Sequence, residues 1–244
     1  MSVDVSKPGA SVPVHRVRFV DWSPSAITAL ALSPVAWTES AAAGRSVLAI
    51  GRDNGNIDLC TWCEGQSGSI AQGWSPVWTL LGEENYKIES LAFTASASHL
   101  RLFSTSGGSI VSEHFLPSSL TGQQAADTRT PTRTLSSHGG AIWSMAASPT
   151  GKFLAIGCED GVVRLIDVAG DAFEHVGTGM HVAPRMTRVA SRILSLAWGP
   201  PRRQMATSND SDDDDDEAWR DTYLLGGLGN STAAVWDVPT GQLK

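Results

Sequence analysis

A pattern that recurs four times along this chain limits its fold more than any other feature. Each copy reads Ile-x-x-Leu/Met-Ala, a spacer, a short apolar strand, a turn of Gly, Asn or Asp, and an alternating strand. The first copy has Ile27-Thr-Ala-Leu-Ala31, Val47-Leu-Ala-Ile-Gly51, the turn Asn54-Gly55 and Ile57-Asp-Leu-Cys-Thr-Trp62. In the second, Ile88-Glu-Ser-Leu-Ala92 leads to Leu100-Arg-Leu-Phe-Ser104, Gly107-Gly108 and Ile110-Val-Ser-Glu-His-Phe115. The third is the clearest, with Ile142-Trp-Ser-Met-Ala146, Phe153-Leu-Ala-Ile-Gly157, Asp160-Gly161 and Val162-Val-Arg-Leu-Ile-Asp-Val168. Ile193-Leu-Ser-Leu-Ala197, Tyr223-Leu-Leu-Gly-Gly227, Gly229-Asn230 and Ala233-Ala-Val-Trp-Asp-Val238 form the fourth. Gly, Asn and Asp accept the positive φ that two-residue turns between antiparallel strands require.

Such units bury their faces only against neighbours, so the pattern predicts an all-β ring of four-stranded blades. The copies begin at Ile27, Ile88, Ile142 and Ile193, that is 61, 54 and 51 residues apart. This exceeds the ~40–45 residues of a plain WD40 repeat, and the excess lies in polar connectors that read as loops. Trp236-Asp237 is the dipeptide that names the WD40 repeat, and Ile166-Asp167 takes its place in the third copy. His138 precedes Asp167 by 29 residues, close to the repeat's His-to-WD interval. WD40 blades often join that His to the turn Asp, here Asp160, and with Ile166 in place of the usual Trp a partial version of the network is expected. His138, Asp160, Asp167, Trp236 and Asp237 are therefore read as structural positions.

The expected architecture is a WD40 β-propeller with repeats at about 27–62, 88–115, 142–168 and 193–238. A seven-blade ring at about 55 residues per blade needs roughly 385 residues, whereas the chain has 244. Two readings follow: a tight four-blade ring, or four blades of a larger, about seven-blade ring. The run Val14-His-Arg-Val-Arg-Phe19 reads as a lone strand of the kind that completes a last blade, and the sequence halts just after a third strand of the fourth unit. Both features favour the larger ring. Residues 1–13 are expected to be a flexible leader to a partial propeller spanning 14–244.

Charge divides the chain unevenly. The net −7 comes from seven acids within eight residues, Asp210, Asp212 to Asp216 and Glu217; the remainder balances at 18 against 18. A run of like charges without apolar neighbours cannot pack, so 204–219 is expected to be a disordered insert. Ser211, followed by acids, suits an acidophilic kinase. Of the 18 basic residues 14 are Arg, the residue that grips phosphate bidentately and stacks on bases. Arg16 and Arg18 share a face of the opening strand. Arg185, Arg188, Arg192, Arg202 and Arg203 cluster around the start of the fourth unit. These seven are the candidate contacts to RNA or a protein partner.

Catalytic and metal chemistry find little support. Cys60-Thr-Trp-Cys63 has C-x-x-C spacing, but residues three apart on a strand point to opposite faces, and no second pair completes four zinc ligands. The six histidines show no ligand spacing, the acidic run lacks the Gly and periodicity of an EF-hand, and no G-x-S-x-G elbow, Walker loop or H-E-x-x-H occurs. We therefore expect no enzyme, no cofactor, no metal and no small-molecule substrate. No run approaches the ~18 apolar residues of a membrane span. Three cysteines are too few for a disulfide framework, which places the chain in a reducing compartment.

Longer runs narrow the family. Val14-His-Arg-Val-Arg-Phe19 with Pro24-Ser-Ala-Ile27, Ala141-Ile-Trp-Ser-Met-Ala-Ala-Ser-Pro149, Leu154-Ala-Ile-Gly-Cys-Glu-Asp-Gly161, Phe173-Glu-His-Val176 and Ser191-Arg-Ile-Leu-Ser-Leu-Ala-Trp198 resemble the cirhin family. The second unit and the segments near 36–46, 66–87, 117–137 and 202–220 depart from it. The resemblance implies two tandem propellers and a helical tail in the whole protein, hence an N-terminal part here. It also implies a nucleolar, non-catalytic subunit of the small-subunit processome. Such a subunit contacts other WD40 and helical subunits and the 5′ external transcribed spacer of pre-rRNA, and supports both 18S rRNA maturation and rDNA transcription. A generic WD40 adaptor, such as a substrate receptor of a ubiquitin ligase, is the alternative.

Overall fold

The computed structural model describes residues 25–34, 46–63, 73–82, 86–95, 100–116, 133–177, 186–203 and 219–244. Four antiparallel sheets of four strands each follow one another along the chain. Blade 1 comprises β1 (Ile27–Leu32), β2 (Val47–Arg52), β3 (Ile57–Cys63) and β4 (Gly73–Leu80). Blade 2 comprises β5 (Ser90–Ala95), β6 (Leu100–Thr105), β7 (Ile110–Phe115) and β8 (Arg133–Ser136). β9 (Ile142–Ala147), β10 (Phe153–Cys158), β11 (Val163–Asp167) and β12 (Glu174–His175) make blade 3. In the last unit β13 (Ile193–Trp198) is followed by a small hairpin of β14 (Arg202–Arg203) and β15 (Trp219–Arg220). The chain then returns as β16 (Tyr223–Leu228), β17 (Ala233–Asp237) and β18 (Gln242–Leu243) to complete blade 4.

The all-β propeller architecture is thus present, and two expectations need correction. Segments read as polar connectors hold outer strands: β4 lies within 66–87 and β8 within 117–137. Outer strands have one paired edge and a largely exposed surface, so they lack the apolar alternation that betrays a strand. Pro76 sits inside β4, tolerated because an outer strand has a free edge. The second correction concerns the fourth unit, whose third strand is followed by another, with Trp236 paired to Leu243 and Asp237 to Gln242. The lone strand at 14–19, the leader 1–13 and the acidic insert lie outside the described residues.

The register lines up the four units more finely than sequence matching does. Ala29 faces Gly51, Ser90 faces Thr105, Ser144 faces Gly157, and Ser195 faces Gly227. The second unit is therefore offset by one residue from the sequence alignment, with Thr105 rather than Ser104 at the glycine position.

Neighbouring blades meet through their innermost strands, in the order β1, β5, β9, β13. No comparable packing joins β13 back to β1 among the described residues. Each junction encloses an apolar cluster. Ala49, Leu59, Ile88, Phe93 and Leu102 fill the first; Phe103, Val111, Ile142, Leu154 and Ile156 the second; Ala155, Leu165, Ile193, Leu224 and Trp236 the third. The leading isoleucine of a unit is the knob that docks on the blade before it. A Cβ on Gly51 would lie 2.6 Å from Ile88 Cγ2, and one on Gly157 2.7 Å from Ile193 Cγ2. At these two junctions glycine leaves the seat open, whereas Thr105 holds the same register position at the second. Burying one such side chain stabilises the junction by about 1.5–3 kcal/mol.

Candidate functional site

Interaction sites of such a fold sit on the turns that a rigid blade holds in place. At the rim where β9 and β13 begin, the turn after β10 and the connector 186–192 come together. Here Trp143 leaves its indole 41% exposed, because positions between the buried Ile142 and Ser144 point outward from β9. Its Nε1 donates to Glu159 Oε2, and the Arg192 guanidinium lies over the ring at 4.8 Å. Beside this stack a cleft of about 490 Å³ is lined by Glu159, Asp160, Arg188, Val189, Ala190 and Ser191.

Asp160 shapes the floor of the rim. Its carboxylate accepts from Arg164 Nη2 at 2.7 Å, Arg164 Nη1 at 3.0 Å and the Val162 N–H at 3.1 Å. Burial opposes its ionisation, but the guanidinium and the N–H together hold its carboxyl below the ordinary aspartate value. Arg164 Nη2 also donates to the His138 carbonyl at 3.1 Å. The expected link between His138 and Asp160 therefore runs through Arg164 and a backbone oxygen, not through the imidazole. His138 is exposed and adopts φ 53°, with its ring 5.2 Å from that of His175.

The remaining repeat positions serve the turns and the core. Asp167 Oδ1 accepts from the Ala169 N–H at 2.9 Å. Trp236 is fully buried, and its Nε1 donates to the Thr187 carbonyl at 2.8 Å. Asp237 closes the last turn by accepting from Thr240 Oγ1 at 2.8 Å and pairing with Lys244 Nζ at 3.2 Å.

The arginine cluster divides. Arg188 and Arg192 belong to the rim just described, while the whole of β13 separates them from Arg202 and Arg203 on the hairpin at its far end. Arg202 lies over Tyr223 at 5.1 Å, where Lys244 Nζ also approaches at 5.8 Å. Arg16, Arg18, Arg185 and Ser211 fall outside the described residues. What sequence reading missed is Trp143: it was visible within Ala141-Ile-Trp-Ser-Met, as an aromatic at the polar phase of a strand.

Away from this rim, Ser104 Oγ and the ring Nε2 of the half-buried His114 lie 2.9 Å apart. β3 runs unbroken through Cys60 and Cys63, and burial raises the thiol pKa of both Cys60 and Cys158 above the ordinary value. Among the described residues no three His, Cys, Asp or Glu side chains gather closely enough to hold a metal. No helix there is long and apolar enough to cross a membrane.

Comparisons with known proteins add lineage to geometry. The model of the WD domain, G-beta repeat matches residues 129–167, which encloses β8 to β11. U3 small nucleolar RNA-associated protein 4 of Schizosaccharomyces pombe is 31% identical over 228 residues, covering 93% of this chain and 26% of that protein. The Saccharomyces cerevisiae protein of the same name is 33% identical over 76% of this chain and 21% of its own length. The human homolog is 30% identical over 80% of this chain and 23% of its own. The chain thus spans about a quarter of the length of the curated relatives it matches. Among solved structures, a chain of Chaetomium thermophilum Polycomb Repressive Complex 2 superposes with TM-score 0.58 at 15% identity, covering 93% of this chain and 42% of that one. The computationally designed Ika4 protein superposes with TM-score 0.50 at 16% identity, covering 93% of this chain and 99% of that chain. At these identities the structural likenesses speak for the fold alone. The chain is a WD40-repeat β-propeller chain, homologous over most of its length to the proteins named U3 small nucleolar RNA-associated protein 4.

Proposed function

We propose that the chain acts as a non-catalytic WD40 scaffold in assembly of the nucleolar small-subunit processome, and that it forms the N-terminal part of a cirhin-type protein. In this role it supports pre-rRNA processing, 18S rRNA maturation and rDNA transcription through contacts with other WD40 and helical subunits and with the 5′ external transcribed spacer. The observation that carries the reading is the alignment of 93% of the chain with a protein named for its association with U3 small nucleolar RNA. The rim supports it chemically. Arg192 stacked on an exposed Trp143, with Arg188 beside it, offers a flat aromatic face and cationic groups, as RNA-binding surfaces do.

The test is recovery of RNA and protein with the tagged chain from nuclear extract. Enrichment of U3 small nucleolar RNA and of the 5′ spacer, lost on the double reversal Arg188→Glu, Arg192→Glu, is the expected result. Recovery of a cullin-type ligase without either RNA would overturn it in favour of the adaptor reading.

A further inference from the structure

The rim between blades 3 and 4 carries a group that a contact to phosphate alone does not use. Glu159, an exposed acid, stands at the edge of the Trp143 indole and accepts from its Nε1. An indole N–H lies in the plane of its ring, so the carboxylate marks that edge rather than a face. Backbone bonds hold the surroundings in place. The Glu159 N–H donates to the Ala141 carbonyl at 2.9 Å, the Val189 N–H to the Gly161 carbonyl at 2.9 Å, and the Gly229 N–H to the Arg192 carbonyl at 3.0 Å. A Cβ on Gly229 would lie 2.9 Å from Arg192 Cγ, so glycine there lets this side chain cross the turn and reach over Trp143. Ring, acid and guanidinium thus come from β9, the turn after β10 and the connector before β13, each tied to its neighbour before a ligand arrives.

A flat ring under a guanidinium is a stacking platform for a nucleobase. A base lying on the indole brings one edge to the Glu159 carboxylate, which offers acceptors and no donor. The bases of RNA differ at that edge. Guanine alone sets two adjacent donors there, its N1–H and its N2 amino group. Adenine and cytosine place a ring acceptor beside their amino group, and uracil flanks its N–H with two carbonyls. A carboxylate repels those lone pairs. Asp160, the other acid of the cleft, is engaged by both terminal nitrogens of Arg164, which leaves Glu159 as the reader. Arg188, exposed on the cleft wall, supplies a cation for the phosphate of the same nucleotide. A basic peptide fits less well, because Arg188 and Arg192 already stand where its cations would go.

Building on the RNA reading of this rim, we infer that the cleft binds an unpaired guanine nucleotide of single-stranded RNA. The base stacks on Trp143 beneath the Arg192 guanidinium, which is exposed and rises to admit it. Glu159 reads its Watson–Crick edge.

Fluorescence anisotropy on the 244-residue chain, with short labelled uridine oligomers carrying one central G, A, C or U, tests this. The guanosine oligomer should bind about tenfold tighter than the other three, the discrimination of a good bidentate base contact. Glu159→Gln replaces one acceptor by an amide donor and should bring the guanosine oligomer level with the rest. Trp143→Ala should weaken all of them by about tenfold through lost stacking. Both side chains are exposed, and far-UV circular dichroism checks that the sheets persist in each variant. Equal affinities for the four oligomers overturn the inference and leave the RNA reading standing, as does a guanosine preference that survives Glu159→Gln. Binding of no oligomer overturns it as well, and the RNA reading is then decided by recovery of U3 small nucleolar RNA from extract. Capture of an Arg- and Lys-rich peptide in place of every oligomer overturns it and gives the rim to a protein partner.

Discussion

Two junctions of this row hold together by opposite means. Between blades 3 and 4 an apolar cluster is joined by hydrogen bonds without an ion pair: Trp198 Nε1 donates to the Ala146 carbonyl and Ser144 Oγ to the Ile193 carbonyl, both at 3.0 Å, and the buried Asp221 carboxylate accepts from the Thr150 hydroxyl. Between blades 2 and 3 the apolar cluster is crossed by a buried charge network. Arg101 and Glu113 are both wholly buried, with Nε to Oε1 at 2.5 Å. Arg133 adds a second bond to Glu113 at 2.6 Å and lies over Phe173 at 5.4 Å. The rest of the Arg101 guanidinium donates to the carbonyls of Val168, Gly170 and Ala172 at 2.7–2.8 Å. A buried ion pair adds little stability over an apolar filling, yet costs a great deal when half of it is removed. The lesson is one of orientation: grease tolerates a range of blade angles, whereas a fork aimed at three carbonyls admits one.

The difference can be broken first at its charged end. Glu113→Ala leaves Arg101 buried without its counter-charge and should cost about 3–5 kcal/mol, read as a lower midpoint in urea unfolding. A loss below 1 kcal/mol would mean that water reaches the guanidinium. At the apolar junction Gly157→Val forces Ile193 from its seat, and a loss of about 1–3 kcal/mol is expected from overpacking; an unchanged midpoint would show that the seat is wider than its contacts suggest.

Acid sharpens the contrast again, because it acts on blade 2. Burial pushes the His114 pKa down from 6.5 to about 4, although Glu113 beside it pulls the other way. The unfolded chain therefore binds this proton below pH 6.5 while the folded one refuses it until about pH 4. The stability it contributes is present above pH 6.5 and drains away as pH falls through that window, by about 2 kcal/mol between pH 7 and pH 5. His114→Gln should flatten this part of the profile, and an unaltered slope would assign the loss to other groups. The smallest effect belongs to the rim: Arg192→Ala removes an exposed cation–π contact worth roughly 0.5–1 kcal/mol. Its readout is a thermal melt that barely moves.

How far the sequence foretold this molecule follows from where each signal lives. Inner strands were legible because they are apolar throughout, as in Phe153 to Gly157, or largely apolar, as in Val163 to Asp167, and the turn between them carries glycine. Outer strands were not, since β8 and β12 bury little and have no phase to display. The charged junction was invisible for another reason. Arg101, Glu113 and Arg133 sit on three strands, and only the register of β6, β7 and β8 brings them together. At the rim, Arg188 and Arg192 were found by counting arginines, yet proximity in sequence wrongly grouped them with Arg202 and Arg203, across the length of a strand.

The reach of Arg101 has a consequence for how the chain is made. Each blade joins its strands in chain order, with only the β14–β15 pair intervening in blade 4, so a blade can form soon after its last residue leaves the ribosome. Arg101 cannot be satisfied on that schedule, for its carbonyl partners lie 67 to 71 residues downstream. Until they are synthesised only Glu113, on the adjacent strand of blade 2, can answer the guanidinium, and its Nη donors find their carbonyls only once the third blade's chain is present.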